Sequence, residues 1–186
     1  MKIGIYCGSF SPVHKGHIKI VKEILKSKLV DKVLLIPTKA YWDKKISISL
    51  KHRTNMLKLY ENKKIIVEEK LSNTKCTYEV FTKAEKKYKN DELYLIVGAD
   101  NLPEFEKWIE YKKLLEYPFI IIQRESYNKK FINNRMKELN KKNYTILNIP
   151  KIDISSSYIR NNINNKKLLK DKIDNKVYNY LIENSL

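Results

Sequence analysis

The sequence predicts an α/β fold with a mainly parallel sheet, on the basis of three observations. Short apolar runs typical of buried strands recur along the chain, at residues 3–7, 33–37, 65–68, 93–97, 119–122 and 146–149. Apolar residues at helical spacing, such as Ile18, Val21 and Leu25, lie between these runs. Three of the runs are almost continuously apolar, as expected where helices cover both faces of a sheet. Alternating strands and helices favour parallel strands joined by right-handed crossovers.

The length of the chain, 186 residues, suits one domain that buries roughly 70% of its unfolded surface and needs no disulfide or metal to be stable. We therefore expect a single domain over residues 1–186. Near the C-terminus, the polar residues 161–176 precede an apolar pattern at Val177, Tyr180 and Leu181. This pattern predicts a C-terminal helix that caps the domain.

Cysteine usage and hydropathy predict a cytoplasmic protein. Cys7 and Cys76 are far apart and form neither a CxxC motif nor a disulfide framework, which suits a reducing compartment. The N-terminus lacks the order of charged, apolar and small residues that marks a signal peptide. Because no apolar run approaches the roughly 20 residues of a membrane helix, we expect no membrane association.

The formal charge of +17 is the excess of 38 basic over 21 acidic residues, and only four of the basic residues are arginine: Arg53, Arg124, Arg135 and Arg160. Lysines are spread over nearly every segment, so we interpret them as a solvated surface in preference to a nucleic-acid-binding face. The few arginines are more informative, because a planar guanidinium recognises phosphate through two parallel hydrogen bonds.

The most informative motif is GSFSPVHKGH, which occupies residues 8–17 between the first predicted strand and a helical pattern. Gly8 permits a tight turn with positive φ, Pro12 stiffens the loop, and Gly16 lets the backbone pass close to a bulky group. Backbone N–H groups at a helix N-terminus have no intrahelical partner and attract anions. The motif therefore predicts a turn that binds phosphate.

Two histidines of this motif, His14 and His17, are candidate phosphate ligands. They lie three residues apart near the expected start of the helix. Imidazoles donate hydrogen bonds to phosphate oxygens and, when protonated, offset developing negative charge. A protein-held metal is the alternative interpretation, but no further Cys, His or Glu at ligand spacing supports it.

A second motif, ISSSYIR at residues 154–160, follows the last predicted strand. Ser155 or Ser156 can cap the next helix, whose first N–H groups then remain free to hold phosphate. Arg160 lies about one turn into that helix, where its guanidinium can bind a polyphosphate.

The turn at Gly98 and Asp100 follows the fourth predicted strand and precedes a predicted helix, with Asp100 as its expected N-cap. If the sheet is parallel, Gly98 and Gly8 emerge at the same edge. There a small Gly98 admits a purine, and Asp100 can accept a hydrogen bond from a ribose hydroxyl.

Three further residues have two interpretations each. Trp108 lies at helical spacing from Leu102 and Phe105, so its indole either packs in the core or lines a pocket for an aromatic ring. Arg124 follows the fifth predicted strand, where it suits a monophosphate or a carboxylate. Lys44 lies in a segment without clear periodicity and is either solvated charge or a ligand-binding residue.

The two terminal motifs, GSFSPVHKGH and ISSSYIR, resemble the opening and closing signatures of the nucleotidylyltransferase superfamily. With GADNLPEFEKW between them, the chain resembles the bacterial nicotinate mononucleotide adenylyltransferases over nearly its whole length. The resemblance implies a Rossmann-like, three-layer nucleotidylyltransferase fold. It also implies transfer of AMP from ATP to nicotinate mononucleotide in NAD biosynthesis, giving deamido-NAD and pyrophosphate.

The same resemblance implies roles for individual residues. The catalytic residues would be His14, His17 and Arg160. The ATP-binding residues would be Gly8, Ser9, Phe10, Gly16, Gly98, Asp100, Ile154, Ser155 and Ser156. The residues binding the acceptor nucleotide would be Lys44, Thr77, Tyr78, Trp108 and Arg124. Mg²⁺ would enter with ATP, bound through the phosphates and not by a dedicated set of protein ligands, and a homodimer is one open possibility.

Three departures from the family pattern leave the acceptor open. The Pro-His-Lys element that follows the second strand in the family is replaced by residues 37–45, the Ser-Tyr-Thr element by residues 76–78, and the aromatic residue after Trp108 by Ile109. Nicotinamide mononucleotide, phosphopantetheine and a cytidylyltransfer reaction are therefore alternatives, although the GADNLPEFEKW element disfavours the last two. A nucleic-acid-binding domain on an inactive scaffold is a further alternative, whereas class I tRNA synthetases, which share an HxGH-like signature, are far longer than this chain.

Overall fold

The computed structural model describes residues 1–38, 47–150 and 153–186. Its strands form one six-stranded sheet in the order β3-β2-β1-β4-β5-β6, with every adjacent pair parallel. The strands are β1 (Lys2–Gly8), β2 (Lys32–Pro37), β3 (Ile65–Val67), β4 (Glu92–Gly98), β5 (Phe119–Ile122) and β6 (Tyr144–Leu147). The predicted mainly parallel α/β fold is confirmed.

Helices connect the strands and follow the last one. They are α1 (Lys15–Lys26), α2 (Leu50–Lys58), α3 (Thr77–Lys87), α4 (Tyr111–Leu114), α5 (Lys129–Glu138), α6 (Ser156–Asn161), α7 (Lys166–Leu169) and α8 (Asn175–Glu183). Two 3₁₀ helices, Glu69–Ser72 and Ala99–Lys107, precede α3 and α4. In the described parts of the chain, no helix has the length and apolar character needed to cross a membrane.

The strand order creates a topological switch point between β1 and β4. After β3 at one edge of the sheet, the chain returns to place β4 on the other side of β1. Tyr6 pairs with Ile96, so Gly8 and Gly98, each two residues further along, leave adjacent strands at the same edge. Ligands of open α/β sheets bind in the crevice at this position.

Two apolar clusters pack on opposite faces of the sheet and make the fold three-layered. One cluster joins α1, α2 and the C-terminal helices and includes Ile24, Met56 and Val177. The other joins α3, the second 3₁₀ helix and α5, through residues such as Phe81 and Phe105. Burial on both faces explains why the central strands are continuously apolar.

The C-terminal residues cap the first of these faces, as the sequence predicts. The Tyr60 hydroxyl donates to a carboxylate oxygen of Asp174, at 2.7 Å. The hydroxyl of Tyr180, on α8, lies 2.9 Å from His52 Nδ1 and 3.0 Å from Asn55 Nδ2, both on α2.

The last strand begins and ends two residues earlier than its apolar run predicts. Pairing with β5 sets its bounds, with Phe119 opposite Tyr144 and Ile122 opposite Leu147. As an edge strand it is only partly buried, with one exposed and three half-buried residues, so an apolar run is a poor guide to its ends. The shift frees Asn148 and Ile149 from the predicted strand.

Candidate active site

A cleft of about 810 Å³ opens at the carboxyl edge of the sheet, beside the β1–β4 switch point. Of the residues predicted to form the site, ten line it: Ser9, His14, Gly16, His17, Asp100, Arg124, Ile154, Ser155, Ser156 and Arg160. The structure thus brings together parts of both terminal motifs and of two strand ends in the middle of the chain. Because these residues are distant in sequence, the fold alone makes them neighbours.

The turn after β1 reverses direction at Phe10 and not at Gly8. Phe10 has a φ of 44°, whereas no described glycine has positive φ, so the expected role of Gly8 in the turn is wrong. Gly8 instead lies under the Phe10 ring, where a Cβ would come within 3.0 Å of the ring edge. Phe10 is fully buried, and its ring supports the edge of His17 with centroids 4.9 Å apart.

His14 and His17 stack at the start of α1, with ring centroids 3.6 Å apart. His14 is the N-cap residue, and its backbone N–H donates to Nδ1 of His17 at 3.3 Å. Because Nδ1 of His17 accepts this hydrogen bond, the proton of the neutral ring lies on Nε2 and can be donated to a ligand. A Cβ at Gly16 would lie 3.0 Å from the His14 ring, so glycine permits this close approach, as predicted.

Both imidazoles are neutral at pH 7 in the free protein. Burial, and secondarily the positive charge of Arg124, lower the pKa of His14 to about 4. Burial, followed by the charges of His14 and Arg124, holds the pKa of His17 well below its usual value. The protonated state considered from the sequence is therefore not that of the free site, because desolvation disfavours the charged ring.

Hydrogen bonds join the second motif directly to the first. Ser155 is the N-cap of α6, and its hydroxyl accepts from the Tyr158 N–H at 3.1 Å. The Ser156 hydroxyl donates to the Pro12 carbonyl at 2.9 Å, and the Arg160 guanidinium donates to the Ser11 carbonyl. The start of α6 and the turn after β1 thus form one surface of the cleft.

Asp100 and Arg124 face each other across the ends of β4 and β5. Arg124 Nε lies 3.3 Å from Asp100 Oδ1, and the two side chains are 38% and 53% exposed. An exposed pair of this kind contributes little stability, so a ligand can separate it at small cost. The expected N-cap role of Asp100 is wrong: Gly98 is the N-cap of the 3₁₀ helix, and Asp100 lies in its first turn.

The remaining predicted residues lie elsewhere. A Cβ at Gly98 would lie 2.3 Å from Asp100 Oδ1, so this carboxylate would have to rotate away to admit it. Trp108 packs on Phe105 with ring centroids 5.1 Å apart. Thr77 is buried at the start of α3, and Lys113 Nζ lies 5.1 Å above the Tyr78 ring. Gly8, Phe10, Gly98, Thr77, Tyr78 and Trp108 are absent from the described lining of the cleft, and Lys44 lies outside the described residues.

Several residues that line the cleft were missed from the sequence. They follow the ends of β5 and β6 and include Gln123, Tyr127 and Asn148. The rule that ligands bind beyond the carboxyl ends of parallel strands identifies this position. Asn148 was hidden because the apolar run placed the end of β6 two residues too late.

The described residues include no group of three or more His, Cys, Asp or Glu side chains that could hold a metal ion. Such clusters are what a dedicated zinc or calcium site requires. The donors gathered at this cleft are instead imidazole, guanidinium, hydroxyl and backbone N–H groups, which are suited to binding phosphate oxygens.

Comparison with known proteins gives one consistent result. The cytidylyltransferase-like family model matches residues 5–162. A probable nicotinate-nucleotide adenylyltransferase of Carboxydothermus hydrogenoformans is 36% identical over 197 residues, covering 100% of this chain and 97% of that protein. The corresponding protein of Acholeplasma laidlawii is 34% identical, covering 98% and 95%.

A solved structure with the same fold is the nicotinic acid mononucleotide adenylyltransferase of Plasmodium falciparum complexed with NaAD. It superposes with a TM-score of 0.82 at 26% identity, over 100% of this chain and 96% of that chain. The family match over most of the chain, with relatives 34% and 36% identical over nearly their full length, shows that this chain belongs to the cytidylyltransferase-like nucleotidyltransferases and, among them, to the nicotinate-nucleotide adenylyltransferases.

Proposed function

We propose that this chain, acting as a single nucleotidylyltransferase domain in the cytoplasm, transfers AMP from ATP to nicotinate mononucleotide. The products are deamido-NAD and pyrophosphate, and the reaction is a step of NAD biosynthesis. The observation that carries the proposal is the convergence of His14, His17 and Arg160 on one cleft at the switch point of the sheet. The names of the relatives support nicotinate mononucleotide as the acceptor.

The chemistry needs no nucleophile from the protein. A phosphate oxygen of nicotinate mononucleotide attacks the α-phosphorus of ATP and forms the new P–O bond. The bond from the α-phosphorus to the oxygen bridging to the β-phosphorus breaks, and pyrophosphate leaves with that oxygen. The protein positions two anionic substrates in line, which can supply part of the roughly 7–11 kcal/mol available from orientation.

The charge that develops on the α-phosphoryl group and the leaving pyrophosphate is stabilised by preorganised donors. We assign this role to Nε2–H of His17, the imidazole of His14, the Arg160 guanidinium and the first N–H groups of α6. Ser11 Oγ and His14 Nδ1 are buried and without a hydrogen-bond partner among the described residues. A phosphate oxygen at this turn would satisfy such groups, each of which otherwise costs about 1–3 kcal/mol.

The remaining predicted residues divide between the two substrates. We propose that Ser9, Gly16, Ile154 and Ser155 contact ATP and that Asp100 accepts from a ribose hydroxyl. Arg124 then binds the acceptor. The resemblance also makes Trp108 a candidate partner of the pyridine ring, although it packs on Phe105 and is absent from the described lining of the cleft. ATP enters as its magnesium complex, because Mg²⁺ retains several waters and binds through phosphates in sites of this kind.

The proposal is tested by measuring pyrophosphate release with ATP and Mg²⁺ and each of three acceptors: nicotinate mononucleotide, nicotinamide mononucleotide and phosphopantetheine. We expect the highest kcat/KM with nicotinate mononucleotide. Preference for either alternative would reassign the acceptor. Absence of release with all three, together with RNA binding that weakens steeply with salt, would favour the nucleic-acid-binding interpretation of the +17 charge.

A further inference from the structure

We propose that Arg53 is a positioning residue that fixes the phosphate-binding turn from behind. It lies on α2, outside both terminal motifs, and the described lining of the cleft does not include it. The proposal rests on the proposed function for the identity of the anion, but the position of the turn can be measured without any substrate.

Three hydrogen bonds from Arg53 reach three separate segments. Its Nη1 donates to the Ser9 carbonyl at 2.7 Å and to the Thr38 carbonyl at 2.8 Å. Its Nε donates to the Ile48 carbonyl at 3.0 Å. One planar guanidinium therefore ties the turn after β1 to the end of β2 and to the residues that precede α2.

The bond to Ser9 sets the direction of the next peptide N–H. The peptide between Ser9 and Phe10 is trans, so its C=O and N–H bonds lie in one plane and point in opposite directions. Because Arg53 holds the Ser9 carbonyl, that carbonyl is directed at Arg53 and the Phe10 N–H is directed away from it. We infer that this orientation removes a negative dipole from the phosphate site and offers an N–H to it.

Stability alone is a poor explanation for this arrangement. Arg53 is only 3% exposed, and burying a guanidinium carries a large desolvation penalty that apolar packing would avoid. Burial lowers the pKa of its guanidinium, which is the direction expected for a desolvated cation. What the charge provides is geometry, because five donors in a rigid plane can hold several carbonyls at once.

Lys141 is a matched control elsewhere in the fold. It is 6% exposed, and its Nζ donates to the carbonyls of Leu115 and Tyr117 at 2.8 and 2.7 Å. Like Arg53, it is a buried cation that bridges backbone carbonyls. It does so between α4 and β5 and does not line the described cleft, so its replacement removes the same kind of contact without touching the phosphate turn.

The test compares wild type, Arg53→Lys, Arg53→Ala and Lys141→Met by amide hydrogen exchange and by calorimetric titration with MgATP. A lysine keeps the charge, but its three N–H donors share one nitrogen, which cannot occupy the positions of both Nη1 and Nε of Arg53. We expect Arg53→Lys to accelerate exchange over residues 6–14 roughly tenfold while leaving residues 115–122 unchanged. Lys141→Met should show the opposite distribution.

For ATP, we expect both Arg53 variants to lose roughly tenfold or more in affinity and Lys141→Met to retain the wild-type value. Millimolar guanidinium, but not urea at the same concentration, should restore ATP affinity to Arg53→Ala. Uniform acceleration of exchange across the chain in Arg53→Lys, or wild-type exchange over residues 6–14, would overturn the proposal. So would an Arg53→Lys protein that does not fold, because Arg53 would then be required for the fold itself.

These outcomes are independent of the acceptor. A wild-type protein that fails to use nicotinate mononucleotide would contradict the proposed function and leave the exchange result unaffected. Conversely, normal acceptor use with an unchanged turn in Arg53→Lys would contradict only the role of Arg53.

Discussion

The two sides of the cleft are built differently. The phosphate side, which comprises residues 8–17 and 154–160, is held by hydrogen bonds to backbone carbonyls, and its two histidines are stacked, with His14 buried and His17 partly buried. The acceptor side, where Arg124 lies beside Asp100, has half-exposed charges whose closest described contact is with each other. Preorganised donors stabilise a transition state without reorganising, whereas an exposed pair can adapt to its ligand. We therefore expect the chain to be rigid where, in the proposed reaction, charge develops, and adaptable where the acceptor binds.

The largest effect should come from the phosphate side. His17→Ala removes a donor directed at developing charge, so we expect turnover to fall by roughly 10² to 10³, equivalent to about 2.7–4 kcal/mol in the barrier. Pyrophosphate release at saturating substrate measures this. His52→Ala is the control, because His52 contacts the Tyr180 hydroxyl on α8 and not the cleft. Near wild-type turnover in a folded His17→Ala protein would contradict this prediction, because the phosphate side would then contribute no more to turnover than the acceptor side.

The pH dependence of stability should also originate on the phosphate side. The folded-state pKa of His14 is about 4, below the ordinary value near 6.5, so the unfolded chain binds the proton first. The contribution of neutral His14 to the free energy of unfolding is complete above pH 6.5 and is lost as the pH falls towards 4. The loss from this group alone is about 3 kcal/mol. Urea unfolding between pH 7.5 and 4 measures it, and His14→Gln should flatten the slope. An unchanged slope in that variant would place the titration elsewhere.

A smaller effect, on binding and not on turnover, is expected from the acceptor side. Arg124→Met removes a half-exposed guanidinium, so the KM for nicotinate mononucleotide should rise roughly tenfold while kcat changes little. Arg135→Met is the control, since Arg135 is bonded to Glu106, Glu138 and the Leu102 carbonyl away from the cleft. A fall in kcat as large as that of His17→Ala would break the distinction between the two sides.

The smallest effect should follow Gly98→Ala. The new Cβ would meet Asp100 Oδ1, and the flexible carboxylate can rotate away at low cost, which releases Arg124. We expect a severalfold rise in the KM for ATP, measured with Asp100→Ala and the double variant alongside. If glycine acts through Asp100, the effects are non-additive, and full additivity would show that Gly98 matters by itself.

The sequence was most informative where a local rule and the global fold agree. Continuously apolar runs identified the strands, and the Ser cap of α6 was predicted from its motif. The turn at Phe10 was missed because positive φ favours glycine, whereas here a buried ring supports the unusual conformation. The end of β6 was misplaced because pairing with β5, and not hydrophobicity, determines it.

Arg53 illustrates a second limit of sequence-based reasoning. Arginine is rare among the 38 basic residues, which makes each arginine, including Arg53, informative. The role of Arg53, however, depends on carbonyls of residues 9, 38 and 48 that only the folded chain brings together. The neutral state of the histidines could likewise not be predicted from the sequence, because desolvation depends on the residues that surround them in the fold. Motifs thus identified the chemistry, and the fold determines the protonation and the support of the groups that we propose perform it.

The central claim is that the cleft promotes one direct displacement at the α-phosphorus. The two neutral imidazoles that line the cleft act as hydrogen-bonding groups and not as nucleophiles. The most direct test uses an ATP analogue with a single configuration of sulfur at the α-phosphorus and nicotinate mononucleotide as acceptor, and determines the configuration of the dinucleotide product. A single in-line displacement predicts inversion. Retention would require two displacements, through an adenylylated His14 or His17, and would contradict the account.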